Sequence, residues 1–293
     1  MQFPELQYPF PYKIIPLSDS QSIAYTDEGH GQETLLFIHG LASYIPAWRK
    51  NVSTLSKTFR CICIDLPGYG KSTSGVHSGK VSFYADVLAE FISNLNLQNV
   101  TIAGHSMGGH IAVGLTLLHP ALIHNLILLA PAGFEVFTQE ESLLIKRTFT
   151  SDSFISADEN QIRTGFTGNF FRMPSDTESM ISDRLKMRGW ANYPSHAKVV
   201  ANSLYGMLDD PVFNRLQLIN QKTLVIFGEN DALIPHPVIH PELKTAAIVH
   251  SGSARIPNSS LKFISECGHF LQFEKPDETN YLICEFMKIS SGT

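Results

Sequence analysis

The chain has little cysteine, little charge and no long apolar run, and each shortage removes a class of protein. Four cysteines in 293 residues, Cys61, Cys63, Cys267 and Cys284, show no Cys-x-x-Cys spacing. They cannot build the bridged framework of a small secreted domain and are expected as free, packed thiols. Charged residues are only 17%, the formal charge is -5 and no Lys/Arg run stands out, so nucleic acid is excluded as a partner. Apolar runs such as Leu126 to Ala132 fall short of the roughly 18 residues that a membrane span needs. Met1 to Ser18 has neither a basic n-region nor an uninterrupted apolar stretch, so no signal peptide is legible and a cytoplasmic location is expected. Without an export signal, the sequons at Asn51, Asn99 and Asn258 imply nothing about glycosylation.

What is present is a 43% hydrophobic chain with 20 Gly and 16 Pro, enough for a large core broken by many turns. Strand-length apolar runs alternate with helical patterns. The expected strands are Ser22 to Thr26, Leu35 to His39, Arg60 to Asp65, Val100 to Gly104, Leu126 to Ala130, Thr223 to Phe227 and Leu261 to Ile264. Between them, Tyr84, Val87, Leu88, Phe91, Ile92 and Leu95 share one helix stripe, and Met107 to Leu118 reads as a second apolar helix. This alternation predicts an α/β fold with a mostly parallel sheet covered on both faces. It stops after Gly133 and resumes at Gln221. The expected organisation is therefore a core from residues 1–133 and 221–293, with a mainly helical cap inserted at 134–220.

The strongest chemical signal is Gly104-His105-Ser106-Met107-Gly108, where a strand runs straight into a helix. A turn this tight needs almost no side chain two residues either side of the serine, and it lifts the hydroxyl clear of the sheet, which presents Ser106 as a nucleophile. A serine needs a base, and the chain order for such an elbow is serine, acid, histidine. Asp231, in Gly228-Glu229-Asn230-Asp231 beyond a strand's carboxyl end, is the expected acid, with Glu229 and Glu135 as alternatives. Gly268-His269 follows the last strand and supplies the expected base, His269. The developing oxyanion needs two donors, and the backbone N–H groups of Leu41 and Met107 are the candidates. Among the aromatics, Phe149, Phe170, Trp190 and Phe270 are the expected pocket residues. No metal site is expected: His236 and His240 have a pair's spacing, but Pro237 and Pro241 disturb a helix and no third ligand is placed. Gly68-Tyr69-Gly70-Lys71-Ser72 ends like a phosphate loop yet lacks its first glycine, where Asp65 stands.

With these residues together, the chain resembles the α/β-hydrolase superfamily, as a serine-esterase-like member with a helical cap. The likeness rests on Phe37-Ile38-His39-Gly40, on Asp65 to Ser72, on the Ser106 elbow, and on Asp231 followed by His269. It implies an eight-stranded sheet, the cap after the sixth strand, no cofactor, and a triad of Ser106, Asp231 and His269. Haloalkane dehalogenases and soluble epoxide hydrolases carry Asp at the elbow, unlike this chain. Carbon-carbon bond hydrolases of aromatic degradation usually carry Asn before the serine and Trp after the histidine, where His105 and Phe270 stand here. Met107-Gly108-Gly109 fits that group, and Arg163, Arg172 or Arg188 could hold a substrate carboxylate. The expected function is hydrolysis of carboxylic esters of small to medium apolar acyl substrates. The alternatives are carbon-carbon cleavage of ring-fission dienoates, or a slow-turnover ligand receptor. No sequence feature sets an oligomeric state.

Overall fold

The computed structural model describes residue 3 and residues 5–291. Its centre is an eight-stranded sheet in the order β1-β2-β4-β3-β5-β6-β7-β8. The strands are β1 (Tyr12–Pro16), β2 (Ser22–Glu28), β3 (Thr34–Ile38), β4 (Arg60–Ile64), β5 (Val100–His105), β6 (Asn125–Leu129), β7 (Lys222–Gly228) and β8 (Ser259–Ile264). Strands β3 to β8 pair in parallel, and β1 and β2 form an antiparallel edge. Every residue of β3 and β6 is buried, as a parallel strand covered on both faces requires, which is why these strands read as unbroken apolar runs. Edge strand β1 is mostly exposed and lacks that signature; it is the strand absent from the sequence reading.

Helices α1 (Arg49–Leu55), α2 (Val81–Asn94) and α3 (Met107–Leu118) alternate with the first strands. The expected α2 stripe is buried at Tyr84, Val87, Leu88, Phe91 and Ile92, each large side chain adding about 1.5–3 kcal/mol by leaving water. Between β6 and β7 there are helices and no strand: α4 (Gln139–Thr148), α5 (Ser151–Ser156), α6 (Glu159–Thr167), α7 (Glu178–Met187) and α8 (Tyr193–Asp209). Thr138, Thr150 and Asp158 open α4, α5 and α6 with reciprocal capping boxes, each cap worth about 1 kcal/mol. Helices α9 (Thr245–Ser253), α10 (Leu271–Glu274) and α11 (Pro276–Ser291) complete the chain. Among the described residues no helix is long and apolar enough to cross a membrane. The carboxyl ends of β3, β5, β6 and β7 converge beneath the helical segment, where a parallel sheet offers its crevice.

Candidate active site

Ser106 sits between β5 and α3 with φ 54° and ψ -116°, a left-handed conformation that a serine adopts only when its surroundings enforce it. The enforcement is visible at Gly108, where an added Cβ would lie 2.2 Å from the Ile38 carbonyl oxygen. Any larger residue would push α3 off β3. The Ser106 carbonyl then accepts from the amides of Gly109 at 2.9 Å and Ala132 at 3.0 Å, which ties the elbow to the segment after β6.

Asp231 and His269 meet from the loops after β7 and β8. His269 Nδ1 donates to Asp231 Oδ2 at 2.8 Å, and the side chains are 4% and 0% exposed. The other carboxylate oxygen accepts from the amides of Leu233 at 2.8 Å and Ile234 at 3.0 Å. With Nδ1 holding the proton, Nε2 is left as the acceptor nitrogen, the tautomer that a general base for a serine needs. His269 and Ser106 line the same cavity. Among the described residues Ser106 Oγ has no hydrogen-bond partner, and such contacts commonly tighten only with substrate bound. Of the alternative acids, Glu229 is exposed, and Glu135 is occupied by His236 and His240.

Leu41 follows β3 and Met107 opens α3. Neither N–H has an acceptor among the described residues, and a Cβ on Gly40 would lie 3.2 Å from Ser106 Cβ, so the Leu41 loop packs directly on the serine. His39 holds that loop: Nδ1 donates to the Gly40 carbonyl at 2.8 Å and Nε2 accepts from the Leu66 amide at 3.1 Å. Burial pushes its pKa down to about 4, so the ring is a neutral brace. His105 is also a brace, donating from Nε2 to the His269 carbonyl at 3.0 Å and stacking on Phe270 with centroids 5.0 Å apart. Cys267 is buried, and that burial pushes its thiol pKa up, away from reactivity. Among the described residues no group of three or more His, Cys, Asp or Glu could hold a metal ion.

A cavity of about 570 Å³ lies over Ser106, walled by the helical segment and the sheet's carboxyl edge. Phe149 and Phe270 line it, together with Phe154, Phe166 and Met187. Phe170 and Trp190 correct the sequence reading. Phe170 stands behind Phe270, its ring centroid 5.5 Å away, and Trp190 turns outward to a separate surface pocket and packs on Phe3 at 5.2 Å. An aromatic pattern marks a helix's apolar face without saying whether that face meets a cavity or a neighbouring chain segment.

The cation in the cavity wall is Arg184, a residue that sequence reasoning missed. Arg163 is spent on Glu159 and Glu178, Arg172 pairs with Glu266 outside, and Arg188 borders the Trp190 pocket. Arg184 is 9% exposed, donates from Nη2 to the Ala42 carbonyl and lies 5.1 Å from the Phe154 ring centroid. Its Nε is buried without a partner, and among the described residues no carboxylate pairs with it. Burial disfavours the charged form, but a guanidinium does not give up its proton in proteins, so the charge is met only by the Ala42 carbonyl, nearby tyrosines and the Phe154 ring, with no carboxylate opposite it. A signal existed: Met180, Ile181, Arg184 and Met187 share the buried face of α7, and an arginine in an apolar stripe asks what it pairs with.

A family model described as alpha/beta hydrolase fold matches residues 33–276. Over 287 residues, 94% of this chain and 96% of the relative, the sequence is 30% identical to 2-hydroxy-6-oxononadienedioate/2-hydroxy-6-oxononatrienedioate hydrolase 1 of Pseudomonas putida. A probable hydrolytic enzyme from Pseudomonas aeruginosa PAO1 superposes with a TM-score of 0.86 at 21% identity, covering 96% of each chain. A thermophilic esterase from Thermogutta terrifontis superposes with a TM-score of 0.77 at 21% identity, covering 96% of this chain and 99% of its own. At those identities the two structures show a shared fold.

Proposed function

The chain belongs to the α/β-hydrolase family and is a hydrolase, and from that premise we propose that it cleaves a carbon-carbon bond next to a ketone in a carboxylate-bearing dienoate, with Ser106 as nucleophile. The observation that carries this reading is Arg184, a buried cation without a carboxylate partner in the wall of an otherwise largely apolar cavity. A site of that kind is incomplete until an anion enters it, and a substrate carboxylate supplies the missing charge. The 30% identical relative, named for hydrolysis of such dienedioates, supports the same reading.

The chemistry follows from the residues. Ser106 Oγ attacks the ketone carbonyl while His269 Nε2 takes its proton, and Asp231 holds the imidazole and offsets its charge. The N–H groups of Leu41 and Met107 stabilise the oxyanion, each worth about 3–4 kcal/mol in the transition state. Collapse of that intermediate breaks the carbon-carbon bond, leaves the acyl group on Ser106 Oγ, and hands the proton held on His269 Nε2 to the departing dienolate. Carbon is a poor leaving group unless its electron pair is delocalised; in the 2-oxo tautomer of a dienoate the pair runs to the oxygen beside the carboxylate. The positive field of Arg184 then favours both binding and the developing dienolate. Water completes the cycle by hydrolysing the acyl-enzyme, with His269 as base. Residues 134–220 act as the cap that excludes solvent from these steps.

Ester hydrolysis by the same serine is the second reading, favoured by His105 and Phe270 at the positions where the carbon-carbon hydrolases usually carry Asn and Trp. Purified protein assayed on a ring-fission dienoate beside a panel of short and medium chromogenic esters decides between the two. A dienoate preference of several orders of magnitude in kcat/KM is expected, and faster turnover of the esters would transfer the proposal to them. Thermal stabilisation by ligand with negligible turnover of either class would instead indicate a receptor.

A further inference from the structure

Beside the Asp231–His269 pair lies a second carboxylate-imidazole cluster that the steps above do not use. Glu135 follows β6 at the start of the helical segment, and both of its carboxylate oxygens accept from the His236 amide, at 2.8 and 3.0 Å. His240, in the same loop as His236, meets Glu135 Oε1 through Nδ1 at 2.6 Å and Glu141 Oε1 through Nε2 at 3.3 Å. Glu141 lies in the first turn of α4, where its Oε2 accepts from the Thr138 amide at 2.7 Å. Phe137 stacks on the imidazole, centroids 5.5 Å apart, and Phe137, Glu135 and His236 all line the cavity.

The geometry favours the charged ring. Both ring nitrogens of His240 face carboxylate oxygens, which only accept, while a neutral imidazole has a single N–H. Nδ1 makes a hydrogen bond to Glu135, while Nε2 meets Glu141 as an ion-pair contact at 3.3 Å that is attractive only when the ring is a cation. The titratable groups facing it are Glu135 from the segment after β6, Glu141 from α4 and His236 from its own loop, whose Nδ1 accepts from the amides of Val238 and Ile239 at 3.3 Å. Among the described residues no lysine or arginine pairs with either glutamate.

The loop so held also carries Asp231. Thr245 Oγ1 donates to the carbonyls of Asp231 at 3.2 Å and Ile234 at 3.0 Å on one side, and Glu135 grips the His236 amide on the other. We propose that Glu135, His240 and Glu141 form a clasp of positioning residues, closed only while His240 is protonated, that binds the Asp231 loop to the first turn of α4 and thereby fixes the aim of Asp231 at His269. The two glutamates, Glu135 first through its hydrogen bond, raise the His240 pKa above the ordinary 6.5. The clasp is therefore closed below the raised value and opens as pH rises through it, when the Nε2 lone pair comes to face the Glu141 carboxylate.

The clasp stands on its own geometry, while its effect on rate rests on the Ser106 reading, and the test separates them. In isotope-labelled full-length protein, NMR titration of the His240 ring nitrogens and hydrogen exchange at the His236 amide read the clasp without any substrate. The expected result is a ring that stays cationic above the ordinary histidine value, with faster His236 exchange beyond its midpoint. Glu141→Gln, a change at a partly exposed side chain, lowers both the midpoint and the onset of exchange. Titration of His240 at or below the ordinary value, or exchange indifferent to it, overturns the proposal. On whichever substrate class turns over, wild-type kcat falls by about tenfold on the alkaline side with KM little changed, and His240→Gln has the lower kcat throughout and no alkaline limb. An alkaline limb that survives in His240→Gln overturns the positioning role; absence of any Ser106-dependent turnover overturns the functional reading while the NMR arm still decides the clasp.

Discussion

Two histidines, His269 and His240, each meet a carboxylate at the carboxyl edge of the sheet, and their differences show how surroundings assign a role to one side chain. His269 faces Asp231 through Nδ1 alone, so one ring nitrogen is left to exchange a proton. His240 faces a carboxylate through each nitrogen, so both are occupied and the ring serves as a charged link. The carboxylates differ too: Asp231 is steadied by two amides of its own loop, whereas Glu135 reaches across to an amide of another segment. A base needs one acceptor neighbour, and a clasp needs two.

The largest effect expected to separate the pairs comes from their acids. Asp231→Asn should lower kcat by about 10⁴-fold by leaving His269 in the wrong tautomer, near the loss for Ser106→Ala or His269→Ala, while Glu135→Gln costs about tenfold through loop position. Steady-state kinetics on circular-dichroism-checked variants measure this, and a Glu135→Gln more damaging than Asp231→Asn would reverse the roles. Next comes the unpaired cation. Arg184→Met should lower kcat/KM for a carboxylate-bearing substrate by about 100-fold, because a buried charge contact worth about 2–5 kcal/mol is lost. It should leave neutral esters nearly unchanged. The same variant should melt at a higher temperature by differential scanning fluorimetry, since a buried charge without a counter-charge is replaced by an apolar chain.

Smaller effects lie in the pH dependence of stability, where the buried and bridged histidines have opposite signs. His39 and His110 are fully buried with pKa values pushed down to about 4, so the unfolded chain takes up protons first as pH falls below 6.5. Stability present above that value is lost on acidification, on the order of 1–2 kcal/mol per histidine by pH 5, as urea unfolding at pH 7 and 5 will show. His240, with its pKa raised, contributes stability below the ordinary value and loses it as pH rises through the raised one. Urea midpoints of wild type and His240→Gln should therefore converge toward alkaline pH, and a constant gap would remove the charge from the explanation.

The elements that were legible in the sequence are those whose cause is local. The unbroken apolar runs of β3 and β6, the stripe of α2 and the glycines around Ser106 each state a backbone or burial requirement within a few residues, and Asp231 and His269 follow from their places beyond strand ends. Edge strand β1, half in solvent, carries no such pattern. What only the tertiary structure decided is which distant groups meet. It turned one face of α7 inward so that Arg184, rather than Arg163, Arg172 or Arg188, enters the cavity, and it sent Trp190 to Phe3. It also brought Glu135 and Glu141 to opposite nitrogens of His240, a hundred or so residues along the chain. Periodicity records that a side chain is buried; the charge it carries there, and what it can do with it, depend on the neighbours that folding supplies.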